Sequence, residues 1–390
     1  MNRRDMKYSY LFLYFLMCPG YLIFGQEEGS AVGKAELEDV VRYHIKELKF
    51  DPQNLESAII LMESYYMMTE YRKAILYANI AQDIYQNRIQ DTLFQSSFFN
   101  TKALFYVIQT RGKSRHKIAD YRKAKIDYLD ALEMNARDSD LLVDIGNLYY
   151  NLEKFDSALF YFKKAEMEFQ DGFKSKFNMA NTYYVLKEYD SALLYYDKSI
   201  GIKGDFPYAY FYKGSIYNEL GSYDSAIEAF NKAIQIWPDK SEIYFRRGFA
   251  LQSSGRYEDA LWDWNTVIFL DSQNYNALRN RAIAYIELND NKSALADLNN
   301  LITTNSAEKE AYYLRGKLYY NNRKFRKSLP DLEVANKNGM NTGELFYMLG
   351  DLYRRKKEIP SACLYFMKAK KMEYPFSEKN EKLLKECNDY

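Results

Sequence analysis

The sequence predicts an all-α solenoid built from antiparallel helix pairs, and three observations predict it. Small residues recur at two fixed places every 34 residues from position 139 onward. Aromatics make up 17% of the chain, 39 of them Tyr, against 17 Gly and 7 Pro, so large side chains able to fill helix interfaces outweigh the residues of tight turns between strands. Apolar residues follow one another at steps of three and four, the period of a helix.

The first element stands apart. Arg3, Arg4 and Lys7 precede an apolar run from Tyr8 to Phe24, followed by Gly25 and the polar QEEGS. Charged head, apolar middle and small-residue exit describe a secretory signal peptide over 1–25, cut to leave Gln26 first. The alternative is a retained anchor and membrane association through the N-terminus, since about 17 residues is the lower edge of a span. Cys18 does not fit a lipidated cysteine, because Met17 stands where bacterial lipoprotein signals resemble one another in a small residue. Both main readings export the rest of the chain, with periplasm or cell envelope as the expected location. Beyond Cys18 only Cys363 and Cys387 remain, too few for a disulfide scaffold. Stability is therefore assigned to packing.

Residues 26–138 are expected to hold a capping helix and two divergent helix pairs. The capping helix runs from about Lys34 to Lys49 and is stopped by Asp51 and Pro52. The first pair, 55–88, carries Met62, Tyr65, Ala74 and Ala81; the second runs through Ala103, Tyr106, Ala124, Tyr128 and Ala131. In that second pair the small positions are 21 apart instead of 12, so the nine extra residues around TRGKSRHKI, 110–118, are read as a longer connection between its helices.

From 139 to 376 seven contiguous repeats follow. Place 8 holds Gly146, Ala180, Gly214, Gly248, Ala282, Gly316 and Gly350, and place 20 holds Ala158, Ala192, Ala226, Ala260, Ala294, Ser328 and Ala362. Place 11 is Tyr except at Leu251, and place 24 is Phe162, Tyr196, Phe230, Trp264, Leu298, Leu332 and Phe366. LGSYD, SSGRYED and KEYDS break each repeat into two helices, and the tiny residues let their backbones approach. A polar segment, 377–390, is expected to close the end as a capping helix, as solenoids require.

These residues resemble the tetratricopeptide repeat family, matched best by Tyr210, Gly214, Tyr217, Ala226, Phe230, Ala233 and Pro238. The resemblance implies a right-handed superhelical array whose first helices line a concave groove that binds peptides. Pro330 is expected in the first turn or so of a second helix, where its missing N–H costs nothing.

Two sets of side chains stand out. Arg247, Arg281 and Arg315 share place 7, and in the same three repeats place 23 is Asp263, Asp297 and Asp331; repeats with Ile145, Met179 or Leu349 at place 7 have Tyr161, Tyr195 or Tyr365 at place 23. In these six repeats charge stands on both helices or on neither, which argues for an Arg–Asp pair joining them. Second, the groove positions that the resemblance implies collect Phe177, Asn181, Tyr184, Tyr208, Phe211, Phe245, Arg246, Phe249, Arg279, Asn280, Tyr313 and Tyr320. They read either as a surface for an extended protein or peptide segment or as packing in a chain where Tyr abounds. Arg246, Arg279 and Asn280 come near the family's clamp for a terminal carboxylate without completing it.

Other classes are excluded or set aside. With 54 basic against 53 acidic residues the chain lacks the electrostatic footprint of a nucleic-acid binder. RGKSRHK reads as a solvated loop or a basic patch for an acidic partner. Its GKS is not a phosphate loop, because Val107 replaces the first glycine. His44 and His116 lack a triad context, and HExxH and GxSxG are absent, so no catalytic residue, metal site or cofactor is expected. A non-enzymatic scaffold or peptide receptor is the reading. The alternatives are an envelope assembly subunit binding through its convex face or ends, and an aromatic-lined carbohydrate binder.

Overall fold

A computed structural model describes residues 33–89, 98–304 and 308–376, together with Leu384 and Cys387. The expected leader, 1–25, and most of the expected C-terminal capping helix lie outside the described residues. Among those described the chain is helical, with no strand. It forms two compact units, an N-terminal one ending at Gly204 and a C-terminal one beginning at Asp205.

In the N-terminal unit a first helix, α1 (Lys34–Phe50), is followed by four pairs: α2 (Leu55–Met67) with α3 (Tyr71–Arg88), α4 (Phe98–Lys117) with α5 (Tyr121–Met134), α6 (Ser139–Asn151) with α7 (Phe155–Glu168), and α8 (Phe173–Val185) with α9 (Tyr189–Ile202). The C-terminal unit holds five more: α10 (Pro207–Glu219) with α11 (Tyr223–Ile236), α12 (Ser241–Ser253) with α13 (Tyr257–Leu270), α14 (Tyr275–Glu287) with α15 (Asn291–Thr304), α16 (Lys309–Asn321) with α17 (Phe325–Lys337), and α18 (Gly343–Arg355) with α19 (Ile359–Lys371).

Each pair closes around the place 8 to place 24 contact. A Cβ added to Gly146 would stand 2.3 Å from Phe162, and one on Gly214 would stand 2.7 Å from Phe230. Phe162, Tyr196, Phe230 and Trp264 are consequently buried outright; Phe162 sits in one core cluster, and Phe230 and Trp264 share another. Place 15 turns the chain. Glu153, Lys187, Asn289, Arg323 and Lys357 all have positive φ there, as do Gly221 and Gly255. In each turn the next N–H reaches back to the place-11 carbonyl, for example Lys154 to Tyr149 and Glu188 to Tyr183, the closing bond of a Schellman end. Non-glycine residues hold the left-handed conformation at five of these seven turns, at a steric cost of about 1 kcal/mol each.

Three expectations are corrected. The stretch 110–117 is not a connection: α4 runs unbroken through it to Lys117. Gly112, not Ala103, is the small residue against an aromatic, with its Cβ direction 2.7 Å from Tyr128, and Ala119 has the positive φ of place 15. The 34-residue frame therefore extends back to residue 105, and the extra residues precede that repeat. Nor is RGKSRHK a solvated loop or a basic patch left open for an acidic partner. Arg111 and Arg115 both reach Asp127 (2.8 and 2.7 Å), Lys113 reaches Asp144 (3.3 Å), and His116 meets Asn151 (2.8 Å). Pro330 lies inside α17, in its second turn rather than its first. Its ring is exposed, so the interrupted hydrogen bond faces water. Cys363 and Cys387 are joined by a disulfide, tying α19 to the chain beyond the last pair.

Candidate functional site

The helix pairs place two kinds of polar machinery, one between helices and one along the first-helix face. Between helices, Arg247 is bidentate on Asp263 (Nε to Oδ2 2.9 Å, Nη2 to Oδ1 2.6 Å). Arg281 on Asp297 and Arg315 on Asp331 repeat that geometry at 2.7–2.8 Å. Each guanidinium also donates through Nη1 to an Asn on the preceding second helix: Arg247 to Asn231, Arg281 to Asn265 and Arg315 to Asn299. The Arg therefore joins three helices. Its fork-shaped guanidinium suits this where an ammonium would not. Arg111 does the same with Asp127 and Asn79, a fourth example that the sequence shows only when the frame is carried back to residue 105. In the uncharged repeats the place-23 Tyr stacks on the place-11 Tyr instead, as Tyr149 on Tyr161 and Tyr353 on Tyr365. These are structural joints, and they leave no charge over for a ligand.

The first-helix face of the N-terminal unit is polar and largely consumed. Asn178 donates to Asn147 (2.9 Å), Gln109 and Lys113 hold Asp144, and Lys174 lies 3.8 Å from Asp140. Glu63 is buried beside Tyr106 and Lys113; desolvation pushes its carboxyl up to about 7, against the pull of both neighbours. Of the candidates here, Phe177 packs on Tyr196, whose hydroxyl donates to Asn181 (2.6 Å), and Tyr184 leans on Tyr189. All three candidates are half-buried.

In the C-terminal unit the candidates divide. Phe211 packs on Phe230 and Phe245 on Trp264, so both belong to the core. Tyr313 donates to Glu344, and Tyr320 donates to Asp351 (2.9 Å). Burial, then those carboxylates, raise both phenols. Asp351 also accepts from Arg354 and Arg355, both at 2.6 Å. These partners overcome its burial and hold its carboxyl below the usual range. Arg279 is tied to Glu308 (3.0 Å) and Asn276 (2.7 Å), and Asn280 is half-buried. What stays open is small. Phe249 is 48% and Tyr208 38% exposed, with Tyr208 resting edge-on against Trp237. Arg246 is exposed and held by Glu242 (2.9 Å), and Asn218 donates to the Arg246 carbonyl (3.2 Å).

Aromatic area, a guanidinium and an amide on adjacent first helices fit a partner's apolar side chain and its backbone. Among the described residues there is no His, Cys, Asp and Glu cluster able to hold a metal, and no helix is long and apolar enough to cross a membrane.

Comparison with known proteins agrees with this architecture. Two tetratricopeptide repeat models match the chain, one over residues 139–167 and 173–206, the other over 214–255. The C-terminal part of a TPR repeat-containing protein from Cytophaga hutchinsonii superposes with a TM-score of 0.54 at 15% identity, covering 61% of this chain and 98% of that one. A tetratricopeptide repeat protein from Parabacteroides merdae gives 0.44 at 19% identity, covering 64% and 98%. YrrB, described as a TPR protein with an unusual peptide-binding site, gives 0.44 at 20% identity, covering 47% and 95%. No curated protein sequence matches the chain.

Proposed function

We propose that this tetratricopeptide repeat protein is an exported, non-enzymatic scaffold or receptor whose C-terminal unit presents the first-helix face around Phe249 to a protein or peptide partner. One observation carries the reading. On a face where most of the candidate side chains are buried or half-buried, Phe249, Tyr208 and Arg246 stay exposed, Tyr208 resting on Trp237 and Arg246 held by Glu242, and aromatic and Arg anchors dominate protein interfaces. The mechanism is display: a packed array offers the surface with little reorganisation, so little binding energy is lost to ordering. The near-neutral net charge favours contact by shape over electrostatic steering, and affinity should change little with salt. The Cys363–Cys387 bridge supports export, because disulfides persist in oxidising compartments.

The test is affinity capture from envelope extract with wild type and with Arg246→Ala/Phe249→Ala. Phe211 and Phe245 are left alone because truncating them opens the core. A protein retained by wild type and lost from a variant that melts normally supports the reading; identical proteins on both reject it.

A further inference from the structure

The outer face of the C-terminal unit carries a pattern that peptide display does not use. Trp262 and Phe269 occupy places 22 and 29 of α13, two turns apart on one side of the helix, and are 76% and 86% exposed. Two large aromatics left in water on one ridge mark a contact surface rather than packing. On the next second helix, α15, the same places hold the exposed Ala296 and Thr303. A ridge therefore stands beside a shelf at two heights.

Place 18 adds charge. It reads Asp224 on α11, Glu258 on α13, Lys292 on α15 and Arg326 on α17, all exposed. Among the described residues none of these four forms a salt bridge, although Lys292 lies close enough to Asp290 to help hold that carboxyl low. The order acid, acid, base, base reverses sign about the line between α13 and α15. A two-fold axis along that line sets α13 over the second copy's α15, and α11 over its α17. Glu258 then opposes Lys292 of the second copy, and Asp224 opposes its Arg326. Trp262 meets Ala296, Phe269 meets Thr303, and the acceptor Gln235 meets Lys337. One axis satisfies charge and shape together, as an isologous interface demands.

We propose that the chain forms a two-fold dimer through the outer faces of α11, α13, α15 and α17, with the Trp262 and Phe269 ridge of each copy seated on the shelf of the other. The self-reversing charge row selects a second copy over an unrelated partner, which would have no reason to match it.

Sedimentation of the purified chain over a range of concentrations tests this. Reversible dimerisation is expected. Trp262→Glu/Phe269→Glu should weaken the dimer by at least about 100-fold without changing the melting temperature. Asp224→Arg/Glu258→Lys and Lys292→Glu/Arg326→Asp should each weaken self-association by about tenfold, yet the two variants mixed should pair with each other. A chain monomeric at every concentration, a dimer indifferent to the Trp262 and Phe269 changes, or charge variants that fail to pair when mixed would overturn the proposal.

Discussion

Glu63 and Asp351 occupy the same place, the ninth, in the first and last helix pairs, and both are buried, at 7% and 6% exposure. Their chemistry is opposite. Glu63 has a phenol and one lysine nearby, so burial wins and its carboxyl rises to about 7. Asp351 has two guanidinium groups and a phenol, so its partners win and its carboxyl falls. Burial depth alone does not decide the state of an acid; the number and charge of the donors brought to it do. The signs for stability follow. Glu63 costs nothing below its unfolded pKa, near pH 4, and increasingly destabilises the fold as pH rises from there to about 7. Asp351 stabilises the fold above its unfolded pKa, and that contribution is lost as pH falls below about 4.

The comparison can be broken at its C-terminal end first, because the last pair is held covalently as well as by Asp351. Cys363→Ser opens a link between residues 24 apart and should cost about 3 kcal/mol, read as a lower urea midpoint under non-reducing conditions and no difference once wild type is reduced. Glu63→Gln should come next. It removes a buried charge, so the N-terminal unit should gain on the order of 2 kcal/mol at pH 8 and almost nothing at pH 4, seen as slower amide exchange in α2 and α4. Equal gains at both pH values would show that folding does not raise the carboxyl's pKa. Asp351→Asn should cost about 1–2 kcal/mol at pH 7 and flatten the acid limb of the pH–stability curve; an unchanged limb would place the acid sensitivity elsewhere.

How much of this was legible in the sequence depends on the distance between the residues concerned. The helix pairs were legible because Gly146 and Phe162, or Arg247 and Asp263, lie within one repeat and recur in a fixed frame. Arg111 and Asp127 obey the same frame, but Ala103 offered a competing small residue and hid it. The bonds from Tyr320 to Asp351 and from Tyr313 to Glu344 run from one repeat to the next. They depend on the rotation between repeats, which no spacing within a repeat specifies. A Tyr stripe thus looked open when much of it was committed. The Cys363–Cys387 bridge escaped for a similar reason, since it reaches beyond the last repeat.

The most direct test of the proposed display surface is a photo-crosslinking amino acid placed at Phe249, with the exposed Leu364 on α19, outside both proposed surfaces, as the control, followed by irradiation in envelope extract. Adducts with a distinct protein from position 249 and not from 364 are the predicted result. No adduct at 249 beside a folded chain, or the same adducts from both positions, would contradict the account.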